Sequence, residues 1–266
     1  LRSPIKWRGG KSRMVKELLP LFPKEYKTYV EPFFGAGWVY FAKDPSTKHE
    51  IINDLDNNLI NFYKVIQNNY GEFVESFKYT LVARKTYEEY TEKYRNHDYK
   101  DEIEQAHIFY YLIMGGFGGD MQNPSFGTGA SRASSINLEA MPKIIEKAHK
   151  RLIRATIECK DYKEIIEKYD TKDTFFFLDP PYKTTKAHLY PSLDGKEFDF
   201  KELADILKTI KGKFILTLNS HKEIDEHFKE FKHKQIGNNY TNNRRHYAET
   251  KDNKTDDEII YMNYEI

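Results

Sequence analysis

A run of phenylalanines leads directly into an acid, two prolines and a tyrosine at Phe175-Phe176-Phe177-Leu178-Asp179-Pro180-Pro181-Tyr182. Neither proline can donate to a β-ladder, so a strand must stop there, and the neighbouring backbone is held stiff and extended. Asp179 and the Pro180 carbonyl become adjacent hydrogen-bond acceptors beside the ring of Tyr182. Two acceptors and a ring suit a planar group bearing an NH2: the acceptors take its two protons and the ring covers its face. A strand-ending turn explains the prolines but requires neither the acid nor the tyrosine.

A second constellation is Glu31-Pro32-Phe33-Phe34-Gly35-Ala36-Gly37-Trp38. Glycines after a strand let the backbone approach a ligand closely, although a purely structural turn would use them equally well. A dinucleotide fingerprint needs a third glycine where this chain has Tyr40, so no pyrophosphate is accommodated. A smaller adenosine ligand fits better, with Asp54 placed to accept from ribose hydroxyls and Glu31 suited to an ammonium group. The third stretch, Lys6-Trp7-Arg8-Gly9-Gly10-Lys11-Ser12, resembles a phosphate loop only at its end. The earlier glycine that such a loop needs is replaced by Ile5, so the spacing fails.

The elements that must carry these residues follow from hydrophobic patterning. Short apolar strands are expected at 28–33, 49–54, 155–159, 174–179, 213–218 and 258–264, with helix after the second through Leu59, Ile60, Tyr63 and Ile66. Between residues 70 and 152 the periodicity is helical, broken by the glycine-rich stretch 114–135. The chain is therefore expected to be an α/β domain formed by 1–69 and 153–266, with 70–152 as a mainly helical insertion. Residues 238–257 are polar and aperiodic, and are expected to form a surface loop.

With 266 residues, 39% hydrophobic and 15% aromatic, the chain has enough apolar material for a large core. No apolar run reaches membrane-spanning length and no signal-peptide pattern appears, so a cytoplasmic location is expected. One cysteine, Cys159, excludes an internal disulfide framework, and no Cys/His spacing suggests a metal. The net charge of +1 excludes nothing, because charges that cancel in sum can separate in space. Lys143, Lys147, Lys150, Arg151 and Arg154 fall at i, i+4, i+7, i+8 and i+11 on one helical stripe, opposite Met141, Ile144, Ala148 and Leu152. The stripe reads as a solvated face or a track for phosphates.

Lys6-Trp7-x-Gly9-Gly10-Lys11, Glu31-Pro32-Phe33-x-Gly35-x-Gly37, Asn53-Asp54 and Asp179-Pro180-Pro181-Tyr182, in this order, resemble the Dam-like, D12 class DNA adenine-N6 methyltransferases. The resemblance spans nearly the whole chain. It implies a Rossmann-like methyltransferase sheet, S-adenosylmethionine as donor, double-stranded DNA as partner, and a target-recognition domain inserted between the second and third strands. It also implies that the Lys6–Lys11 segment folds over the cofactor, with Trp7 covering the methionine portion and Lys11 near the target base. Asp54 would hold the ribose, and Asp161 and Tyr162 the adenine of the cofactor. A target adenine flipped out of the duplex would place its N6 hydrogens on Asp179 and the Pro180 carbonyl, and receive the methyl by direct transfer.

Members that read GATC carry an arginine-aromatic-asparagine stretch where this chain has Gly118-Gly119-Asp120-Met121-Gln122. The bidentate guanine contact is therefore missing there, and GATC is not assumed. Gln122, Asn123 and Arg132 are candidates for base contacts, and Arg244 and Arg245, with the stripe from Lys143, for phosphates. Other NH2 acceptors stay open at this point: cytosine N4, an RNA adenine or a protein glutamine. So does a silent DNA-binding subunit, which the presence of Asp179, Tyr182, Lys11 and Gly37 disfavours. A companion restriction endonuclease, a regulatory mark and a mobile-element role are equally open.

Overall fold

The computed structural model describes residues 1–7, 10–45, 49–121, 124–128, 133–182, 198–236 and 258–265. Its centre is a seven-stranded sheet: β1 (Thr28–Glu31), β2 (His49–Asn53), β3 (Ala155–Glu158), β4 (Thr174–Leu178), β5 (Lys213–Asn219), β6 (Lys232–Ile236) and β7 (Glu258–Met262). The spatial order is β3-β2-β1-β4-β5-β7-β6. β7 runs antiparallel to both of its neighbours, while the pairs from β3 to β5 are parallel.

Side chains alternate across the sheet, as the two-residue period of a strand requires. Tyr29, Ile52, Phe175, Phe177 and Ile215 enter one core, and Val30, Ile51, Phe176, Leu178 and Leu216 the other. The first core is closed by α1 (Val15–Leu18), α2 (Trp38–Ala42), α3 (Asn57–Ser76), α4 (Arg84–Asn96), α5 (Glu102–Gly115) and α6 (Met141–Leu152). The second is closed by α7 (Tyr162–Tyr169), α8 (Phe200–Thr209) and α9 (Lys222–Phe228). A mostly parallel sheet with helices on both faces explains why its central strands read as continuous apolar runs.

All six expected strands form, and β1 and β4 stop immediately before Pro32 and Asp179-Pro180. β6 was not expected from the sequence. Its residues Lys232 to Gln235 are exposed and only Ile236 is buried, so this edge strand carries no apolar alternation. On α6 the buried residue is Ile145 and not Ile144, which is exposed. α3 runs past residue 70 to Ser76, with non-helical backbone at Asn69 (φ −133°, ψ 34°). Among the described residues no helix is long and apolar enough to cross a membrane.

Candidate active site

The chain lays down β1, β2 and β3 in one direction and then crosses back to place β4 beside β1. Strand order reverses between β1 and β4, and ligands of open α/β sheets collect at the carboxyl ends of such strands. Glu31 closes β1, Asp54 follows β2 and Asp179 follows β4, so three acids of the motifs stand on this edge. Asn53 ties the edge together: its Nδ2 donates to Pro32 O and Lys160 O, both at 2.9 Å, and its Oδ1 accepts from the Lys160 N–H at 2.9 Å. The sequence gives Asn53 no role beyond its place in the motif, yet it fixes the turns after β1, β2 and β3.

The turn after β1 shows why its glycines are needed. Gly35 and Gly37 have φ of 49° and 62°, a left-handed conformation that side chains resist. A Cβ on Gly35 would also stand 2.9 Å from Trp7 Nε1, so the indole lies directly on the glycine backbone. Asp54 braces the turn from below, accepting from the Gly35 N–H at 2.8 Å and the Asp56 N–H at 3.0 Å. Burial raises Asp54 to about 6 against the pull of those two donors. Glu31 is buried and accepts from the Tyr29 hydroxyl; burial dominates and raises its carboxyl to about 8. Gly10 serves packing and not a phosphate, since a side chain there would overlap the Trp38 indole. The Trp38 indole N–H is buried without a hydrogen-bond partner among the described residues.

Lys11 enters the same edge from the N-terminal segment. Its ammonium is almost wholly buried, 2.8 Å from Asp179 Oδ1 and 3.5 Å from Glu258 Oε2, and it donates to the Tyr182 hydroxyl. It also stands 4.3 Å from the centre of the Tyr182 ring. Thr217 on β5 donates to Asp179 Oδ1 at 2.8 Å. Asp179, Tyr182 and Lys11 are thus brought together, with Pro180 buried beside them. Thr217 and Glu258 join the cluster without having been singled out in the sequence, because each reads as an ordinary strand residue.

Three rings form a second patch on this edge. Phe33 lies 5.1 Å from Tyr162 and 5.6 Å from Phe198, between ring centres. Asp161 caps α7, accepting from the Lys163 N–H at 2.9 Å. Lys6 turns away from the glycine turn: its ammonium binds Met114 O at 2.6 Å, Gly116 O at 3.5 Å and the Ser135 hydroxyl. It anchors the N-terminal segment to the end of α5.

Beyond α5 the chain doubles back, with an antiparallel bridge between Gly116 and Phe126 and successive left-handed glycines at 118 and 119. Gln122, Asn123, Arg132, Arg244 and Arg245 lie outside the described residues. Lys143, Lys147, Lys150 and Arg154 line α6 and its end on the solvent side. Arg151 corrects the stripe: it turns inward, bonded to Glu50 through both terminal nitrogens and to the Tyr40 hydroxyl at 2.7 Å. Buried in that way, it is unavailable to a phosphate.

A mostly parallel seven-stranded sheet of this order, with acids at the carboxyl ends of β1, β2 and β4, is consistent with a methyltransferase. The chain belongs to the D12 class N6 adenine-specific DNA methyltransferases, whose family pattern matches residues 7–242. Its relatives agree. The Type II methyltransferase M.CviBI of Paramecium bursaria Chlorella virus NC1A is 27% identical, over 89% of this chain and 90% of the relative. The Type II methyltransferase M1.LlaDCHI of Lactococcus lactis subsp. cremoris is 26% identical over 99% and 96%. The DNA adenine methylase of Haemophilus influenzae is 28% identical over 78% and 74%. The protein is a site-specific adenine DNA methyltransferase, and methylation at adenine N6 displaces the other acceptors considered above.

Proposed function

We propose that the enzyme transfers the methyl of S-adenosylmethionine directly to N6 of an adenine flipped out of duplex DNA. The observation that carries this reading is the cluster of buried Lys11 with half-buried Asp179 and Tyr182 at the carboxyl end of β4. The residues fit the donor. The left-handed glycine turn carries the Trp7 indole on its backbone, and the buried Glu31, its carboxyl raised by burial, can ionise against an ammonium. Trp7, Glu31, Phe33, Gly35, Gly37, Asp54, Asp161 and Tyr162 would hold it. Lys6 would act through the segment it anchors. The bound donor supplies an electrophilic methyl on a positively charged sulfonium.

The chain's own part is to bind and orient the acceptor. The N6 lone pair is delocalised into the adenine ring and is a poor nucleophile. Asp179 and the Pro180 carbonyl accept hydrogen bonds from the two N6–H groups and favour a more tetrahedral nitrogen. They stabilise the positive charge that develops there as the N–CH3 bond forms and the methyl–sulfur bond breaks. The thioether leaves neutral, and one N6 proton passes by way of Asp179 to solvent. Tyr182 stacks on the base, and unstacking from the duplex costs roughly a few kcal/mol. Positioning supplies much of the remaining acceleration.

Residues 1–69 and 153–266 form the catalytic part of this reading, and 70–152 the target-recognition part, in which Gly116 bridges Phe126 and is bound by Lys6. Lys143, Lys147, Lys150 and Arg154 meet phosphates, as do Arg244 and Arg245, while Gln122, Asn123 and Arg132 meet bases. The Type II names of two relatives support a restriction-modification setting with a companion endonuclease. Purified protein and S-adenosylmethionine, given unmethylated bacterial DNA, are expected to modify adenines within one short sequence on single-molecule mapping. Label appearing on cytosine, or at adenines without a common sequence, would overturn the reading.

A further inference from the structure

Asp179 is held by two donors that converge on one of its oxygens. Thr217 Oγ1 donates to Oδ1 at 2.8 Å, and Lys11 Nζ stands 2.8 Å from the same atom. Among the described residues no hydrogen-bond partner is found for Oδ2. Thr217 is wholly buried in β5, one position past the Leu178–Leu216 register pair, which sets it beside the residue that follows β4. Its neighbours Leu216 and Leu218 are apolar and buried. A valine would fill nearly the same space, so packing does not explain the hydroxyl, and a buried hydroxyl must find a partner. The partners available are Leu178 O at 3.4 Å and the carboxylate at 2.8 Å. The carboxylate bond is the shorter and is assisted by charge.

We propose that Thr217 is a positioning residue for methyl transfer: its hydroxyl fixes the rotation of the Asp179 carboxylate, so that Oδ1 is taken by Thr217 and Lys11 and Oδ2 faces the target amine. The inference rests on the reading of Asp179 as the acceptor of an N6 hydrogen. Lys11 alone does not set this rotation, because its ammonium is a compact charge on a flexible four-carbon stem with rotatable donors. A threonine on a central strand is rigid at χ1 and brings its hydroxyl to a fixed point. The amine then meets one oxygen in one orientation, which is what a near-attack geometry demands.

The test compares Thr217→Val, Thr217→Ser and Thr217→Ala with the wild type and Asp179→Ala, by label transfer from S-adenosylmethionine into unmethylated bacterial DNA. Thr217→Val is expected to lower kcat about ten- to a hundredfold, the span for one hydrogen bond to a charged group. KM for cofactor and for DNA should stay within about twofold, since the hydroxyl acts on the chemical step. Thr217→Ser, which keeps the hydroxyl without the branched methyl, should recover most of the lost rate. If valine disturbs folding, serine and alanine still decide the matter. Both lack the methyl, only serine keeps the hydroxyl, and serine is expected to be faster by about tenfold or more. A valine variant within about twofold of the wild-type kcat, or alanine equal to serine, while Asp179→Ala is inactive, would overturn the role of Thr217 alone. An active Asp179→Ala would overturn the acceptor reading itself, and this inference with it.

Discussion

Two buried lysines of this enzyme face carboxylates, and they do different work. Lys43 is 5% exposed and binds Glu50, which also takes Arg151 in a bidentate pair; Tyr40 and the end of α2 complete the group. Lys11 is 4% exposed and binds Asp179, with Glu258 at the longer distance. In the first cluster both oxygens of the acid are engaged and its side chain is 6% exposed. In the second the Asp179 side chain is 20% exposed and Oδ2 has no hydrogen-bond partner among the described residues. A closed ion cluster joins elements, here α2, β2 and α6. An open one, stationed at the carboxyl edge of a sheet, can take a substrate.

Glu50→Gln is the change expected to hurt stability most. It leaves Lys43 and Arg151 buried without their counter-charge, a penalty of about 3–5 kcal/mol by chemical unfolding, while kcat per folded molecule is retained. Burial pushes the Glu50 carboxyl up, but hydrogen bonds from Arg151 and Lys43 outweigh it and hold the group below its ordinary 4.5. A depressed carboxyl stabilises the fold above the ordinary value, and that contribution disappears as pH falls through the folded value. The gap between wild type and Glu50→Gln should therefore narrow in acid.

Glu31 behaves in the opposite sense. Its carboxyl is raised from 4.5 to about 8, so the folded protein keeps the proton at neutral pH while the unfolded chain releases it. The stability this contributes is full below 4.5 and is lost as pH rises through 8. Wild type should lose ground to Glu31→Gln across that window. If Glu31 receives the cofactor's ammonium, binding near pH 7 should release a proton, read as a binding enthalpy that varies with the buffer. In Glu31→Gln the release should vanish and affinity should weaken. A wild-type enthalpy independent of buffer would remove Glu31 from the cofactor site.

The smallest effect is expected at α6. Replacing Lys143, Lys147 and Lys150 together with glutamine should reduce the slope of log affinity for DNA against log salt by roughly 2–3, about 0.9 for each phosphate no longer neutralised. The kcat at saturating DNA should not change. An unaltered slope would make the stripe an ordinary solvated face.

Much of this was legible before the structure, for physical reasons that also explain the failures. Strands buried on both faces announce themselves, as Phe175 to Leu178 does, and prolines mark where they end. β6 did not, because a polar edge strand has no pattern to read. On α6, at about 100° per residue, Arg151 falls about 80° from Lys143, whereas Lys147, Lys150 and Arg154 stay within about 40°. That rotation carries Arg151 to the margin of the core, where Glu50 meets it. The same arithmetic puts Ile145 nearer than Ile144 to the centre of the apolar face. Within the site, Asp179, Tyr182, Lys11, Gly35 and Gly37 were readable because their chemistry is concentrated in short motifs. Asn53, Thr217, Glu258 and Phe198 depend on long-range juxtaposition: Thr217 meets Asp179 across a strand pair, and Glu258 meets Lys11 across most of the chain.

The most direct test of the difference between the two clusters is the single-turnover rate of methyl transfer by Asp179→Ala, with S-adenosylmethionine binding measured on the same sample. The expected result is a drop of at least about 10²–10³-fold in rate, the scale for removing one group that stabilises developing charge, with cofactor affinity largely intact. Near-normal transfer by that variant would contradict the account, and would make the Lys11 cluster as structural as that of Glu50.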